Sequence, residues 1–161
     1  MGENIIVPTD FTVESLFTVK KFLQQNPDAE VNLLLVHGYR MPLSITELLF
    51  FSKAAQLSKL AGKEFNEGLT ILRNKYTHQR ITINADLFLG YNQAAFQNFI
   101  GGYRIAKAVV PKSYRLKSTG DNGFDIMKFI RKSDLKVIEY DWAISAGLPE
   151  KNHVSELLFD L

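Results

Sequence analysis

The chain has 161 residues, 46% of them hydrophobic and 22% charged, with a net charge of +2 and no cysteine. That length and balance imply one domain with a substantial core and exclude disorder. So small a charge argues against a nucleic acid or a membrane surface as partner, and the missing thiols exclude disulfides and thiolate metal sites.

Glu3, Pro8 and Asp10 near the start do not fit a secretory signal, and no apolar run exceeds four residues (33–36 and 48–51). A cytoplasmic protein is therefore expected. The first element is a buried strand, Ile5–Val7, three apolar and mostly β-branched residues in a row. Pro8 stops it because it has no N–H to donate, and Thr9, Asp10 and Thr12 bring oxygens to the start of a helix over Val13–Gln25. Val13, Leu16, Phe17, Val19 and Leu23 share a face of that helix, and Pro27 ends it. Val31–His37 reads as a second buried strand, with Gly38 and Pro42 marking a loop.

A long helical region follows over Ser44–Tyr76, with a break expected near Leu48–Phe51, where the apolar run is wider than one stripe. Ile81–Leu89 alternates as a third strand. Gly90 turns the chain, and Asn92 is a good cap for a helix carrying Ala95, Phe96, Phe99, Ile100 and Tyr103. Ala106–Val110 is a fourth strand, stopped by Pro111, and residues 112–122 read as a loop. A helix is expected over Gly123–Ser133 and a fifth strand over Lys136–Trp142. The domain thus covers residues 1–142, and the tail, 143–161, carries Val154, Leu157, Leu158 and Leu161 as a short amphipathic turn. Unbroken strand–helix alternation implies an α/β fold, an open five-stranded parallel sheet with helices on both faces.

The opening Val7-Pro8-Thr9-Asp10-Phe11, the second strand Leu33-Leu34-Leu35-Val36-His37 and the turn at Gly90 resemble the universal stress protein family. The resemblance extends from about Glu3 to Trp142. It implies a Rossmann-like, adenine nucleotide alpha hydrolase-like fold with strand order 3-2-1-4-5. It also implies nucleotide contacts from Pro8, Thr9, Asp10 and the Val36 backbone, and a homodimer joined through the last strand by Val137, Ile138, Glu139, Tyr140 and Trp142.

Nucleotide-binding members of that family carry G-x2-G-x9-G-S/T after the fourth strand, so that backbone N–H groups can approach phosphates. Gly123, fourteen residues before Val137, matches the final glycine. Counting back places the earlier two at Val110 and Ser113, or at Pro111 and Tyr114, and Phe124 stands where the family has a hydroxyl. This comparison implies that the ATP cradle is lost.

Each candidate residue also has a plain structural reading. Asp10 caps or braces its turn, or lies beside a nucleoside. Val36 is core as a side chain. Lys112, Arg115 and Lys117 hold an anion through side chains, or form a solvated loop. His37, His78 and His153 lack metal-ligand spacing, and no nucleophile elbow is present, so neither a metal site nor a catalytic residue is expected. The resemblance implies a stress-response protein, and the residues lead to one that is not an enzyme and works by protein association or ligand sensing. High-affinity ATP binding is not expected. The alternative is a weak AMP or ATP sensor using Asp10, the Val36 backbone and the 112–117 loop.

Overall fold

The computed structural model describes residues 2–77, 79–117 and 122–142. Its strands are β1 (Glu3–Pro8), β2 (Val31–Tyr39), β3 (Ile81–Phe88), β4 (Ile105–Pro111), β5 (Gly123–Phe124) and β6 (Lys136–Tyr140). Its helices are α1 (Leu16–Gln25), α2 (Ile45–Leu49), α3 (Lys53–Lys75), α4 (Gln93–Gly102) and α5 (Met127–Arg131). The sheet runs β3-β2-β1-β4-β6, with every neighbouring pair on that path parallel. This is the expected order, with β6 as the fifth long strand. The expectation of an all-parallel sheet needs one correction. The two-residue β5 pairs antiparallel with the end of β2, Gly38 opposite Phe124 and Tyr39 opposite Gly123.

β1 is central, and Ile5, Ile6 and Val7 are all buried because helices cover both faces of the sheet. On one face Ile5, Val7, Leu33, Leu35 and Ile83 pack against Leu16, Val19 and Leu23 of α1 and Phe65, Leu69 and Leu72 of α3. On the other, Ile6, Val36, Ala108 and Val110 pack against Phe96 and Ile100 of α4 and Phe129 and Ile130 of α5.

The long helical region does break near Leu48–Phe51. Ser52 Oγ caps a new helix by accepting from Ala55 N at 3.2 Å. A second interruption lies inside α3 at Gly62, whose φ of 71° is one that only glycine adopts without strain. Asn92 caps α4 as expected, its Oδ1 accepting from Ala95 N at 2.8 Å. The expected helix over Gly123–Ser133 is corrected to the short α5, because Gly123 and Phe124 are taken into β5. No helix among the described residues is long and apolar enough to cross a membrane. The tail turn lies outside the described residues.

Candidate functional site

In an open parallel sheet, ligands bind beyond the carboxyl ends of the strands. Here that edge is formed by the turn after β1, the end of β2 and the loop after β4. Thr9 continues the β1 ladder, its N–H donating to the Val36 carbonyl at 2.9 Å. Ser15 Oγ donates to Thr12 O at 2.7 Å, so in the 2.8 Å contact between Thr9 Oγ1 and Ser15 Oγ the donor is Thr9. Thr9 Oγ1 in turn accepts from Phe11 N at 3.1 Å. Thr12 Oγ1 accepts from Ser15 N at 3.2 Å, so Thr12 caps the turn that leads into α1.

Phe11 holds a left-handed backbone, φ 62°, which costs a residue with a Cβ about 1–2 kcal/mol. Its buried ring offsets that cost. It lies 5.1 Å from the His37 ring and edge-on to Phe65 at 5.2 Å.

Asp10 is buried at 1% exposure, and its carboxylate is filled by the chain itself. Oδ1 accepts from Thr12 N at 3.1 Å and from Thr12 Oγ1. Oδ2 accepts from the Tyr114 hydroxyl at 2.6 Å and from Lys117 N at 2.9 Å. Burial, and then the bond to Asp10, pushes the Tyr114 phenol far above its ordinary range, so it stays a protonated donor. The Tyr114 ring rests against Trp142 at 4.8 Å, and Trp142 Nε1 donates to Thr18 Oγ1 of α1 at 2.9 Å. The loop after β4 is thereby fastened to the β1 turn, to α1 and to the end of β6.

His37 is buried at the end of β2, with Nδ1 2.9 Å from the Thr9 carbonyl. A carbonyl only accepts, so Nδ1 carries the proton. Burial lowers the imidazole pKa, while the Thr9 bond and the Asp10 and Asp125 carboxylates pull it partly back. Among the described residues no three His, Cys, Asp or Glu side chains are grouped to hold a metal ion.

The structure thus brings Pro8, Thr9, Asp10 and the Val36 backbone together as one turn, with the Val36 side chain in the core. Gly123 does not join them at a helix N-terminus, since it pairs with Tyr39 and α5 begins only at Met127. Phe124 lies so close over Gly38 that a Cβ there would meet its ring at 2.5 Å. Lys112, Arg115 and Lys117 are exposed and make no ion pair among the described residues. In β6, Val137 and Ile138 pack partly into the two core layers, and Tyr140 touches Phe22 edge-on at 6.0 Å. Glu139 lies 3.9 Å from Arg131. Trp142 falls beyond β6 and is occupied within its own chain.

Sequence reasoning missed the partners of Asp10. Tyr114 was visible only as an aromatic where one register expects a glycine. A second polar cluster, on β3, left no sequence signal. There Asp86 Oδ1 accepts from Leu87 N at 2.7 Å and pairs with Lys53 Nζ at 2.9 Å, and Oδ2 accepts from Tyr103 OH. Burial and the Asp86 bond push the Tyr103 phenol up to about 12.

No protein-family model and no curated protein matches the chain. Solved structures do. A hypothetical protein, PH0823, superposes with a TM-score of 0.53 at 18% identity, covering 90% of this chain and 99% of its own. A universal stress protein in complex with cAMP gives a TM-score of 0.50 at 15% identity, covering 86% of this chain and 96% of its own. A universal stress protein family member from Burkholderia pseudomallei gives 0.50 at 11% identity, covering 86% and 95%. The fold is the universal stress protein fold, as the resemblance implied.

Proposed function

We propose that this chain is a non-enzymatic, cytoplasmic, universal-stress-protein-like module that acts in stress responses by associating with proteins or sensing a ligand, without high-affinity ATP binding. One observation carries the reading. The buried Asp10 carboxylate, at the edge where such folds bind ligands, is saturated by Thr12, Tyr114 and Lys117 of its own chain. A nucleotide entering there has to displace a charged hydrogen-bond network, which costs roughly 1.5–3 kcal/mol per bond. Phe124 adds an aromatic ring where phosphate-binding relatives use a hydroxyl. The proposal includes a homodimer through the open edge of β6. Native mass spectrometry of protein purified without added nucleotide tests the reading. A dimer of twice the bare polypeptide mass is expected, and a stoichiometric nucleotide adduct overturns it.

The exposed Lys112, Arg115 and Lys117 favour a second reading, a weak AMP or ATP sensor in which side chains replace the glycine cradle. A solved neighbour is a complex with cAMP, which makes small adenine nucleotides the first ligands to titrate.

A further inference from the structure

α2 is an ordered helix with nothing over it among the described residues. Ser44 Oγ accepts from Glu47 N at 3.3 Å to cap it, and stacking of Phe51 on Tyr39 at 6.2 Å pins its far end. Yet none of its residues is buried. Leu43 is 91% exposed, Ile45 77%, Leu49 77%, Phe50 83% and Leu48 40%. These five side chains together expose on the order of 600 Å² of apolar surface. So short a helix has little stability of its own in water, which implies that something covers it.

We propose that the occupant is the chain's own C-terminal segment, residues 154–161, docked in cis. Val154, Leu157, Leu158 and Leu161 recur at the i, i+3, i+4, i+7 spacing of one apolar helical stripe, a payload that matches the α2 patch in size. The topology places the two within reach. β2 and β6 belong to one parallel array, so the chain leaves both at the same edge of the sheet, α2 following β2 and the tail following Trp142. Three strand spacings separate the ends of β2 and β6, about 14 Å. Residues 143–153 can span roughly 36 Å when extended. A second copy fits less well, because a stable interface buries about 800 Å² on each partner, more than this patch offers. The inference is independent of the nucleotide question, since the patch and the Asp10 turn share no residue.

The absence of cysteine makes the test direct. Asp160→Cys, a polar position off the apolar stripe, carries a nitroxide label on the full chain, and amide signals are compared with the label oxidised and reduced. Residues 43–50 are expected to lose most of their intensity, and Leu157→Asp with Leu158→Asp in the labelled chain restores it. Broadening elsewhere, or none, overturns the proposal. So does broadening of 43–50 that persists when labelled, unenriched protein is mixed with unlabelled, isotope-enriched protein, because the contact is then between copies.

Discussion

The Tyr114 hydroxyl donates to Asp10 Oδ2 at 2.6 Å, joining residues 104 positions apart in the chain. This bond closes the loop after β4 over the β1 turn, and Lys117 N completes the closure on the same oxygen. Tyr114→Phe keeps the ring against Trp142 and removes the donor to a buried carboxylate. The variant is expected to lose about 1.5–3 kcal/mol of stability in denaturant titrations. A loss below about 0.5 kcal/mol contradicts a structural role for the bond.

His37 contributes to the acid limb of the stability curve. Burial lowers its folded-state pKa below the ordinary 6.5, so the unfolded chain takes up the proton first. The His37 contribution is complete above about pH 6.5 and is lost as pH drops from there through the folded-state pKa. The Asp125 carboxyl, raised by burial, acts with opposite sign at lower pH. Denaturation midpoints at pH 7 and pH 5 measure the effect, and His37→Gln should flatten the difference.

Phe11 inverts the usual ranking of alanine and glycine. Removing the buried ring costs about 3–5 kcal/mol. Glycine then relieves the left-handed backbone strain that alanine retains, worth about 1–2 kcal/mol. Phe11→Gly is therefore expected to be more stable than Phe11→Ala. Thermal or chemical melts of the two variants decide this, and equal or reversed stabilities contradict it.

The edge of β6 that is unpaired among the described residues supplies a test of assembly. Lys112 N donates to the Tyr140 carbonyl at 3.0 Å, so Tyr140, Ile138 and Lys136 point their backbone groups toward β4. Val137 and Glu139 point theirs to the open side. Glu139→Pro therefore removes an outward donor while leaving the β4 ladder intact. Light scattering at tens of micromolar is expected to show a dimer for the parent chain and a monomer for the variant, both with unchanged circular dichroism. A parent monomer contradicts the dimer.

Much of the fold was legible because its signals are local. Ile5–Val7 and residues 33–36 are unbroken apolar runs that only a doubly covered sheet can bury, and Asn92 announces α4 by its own side chain. Gly123 was misread because a two-residue strand has no periodicity, and a glycine before an apolar stretch looks like a helix start. The Gly62 interruption hides because glycine within a helical pattern is ordinarily tolerated. Half of the site was visible: Asp10 and Thr12 stand side by side at a strand end. Its other half lies more than a hundred residues away, at Tyr114 and Lys117 N, and no spacing rule links a carboxylate to such distant partners.

Calorimetric titration of the full chain with Mg-ATP tests the central claim most directly. Losing two or three backbone contacts to charged phosphate removes several kcal/mol, at roughly 1.5–3 each, and each 1.4 kcal/mol is a tenfold change in affinity. The expected result is binding no tighter than the millimolar range, with Tyr114 and Asp10 undisturbed in amide spectra. Low-micromolar binding with displacement of Tyr114 from Asp10 would contradict the account.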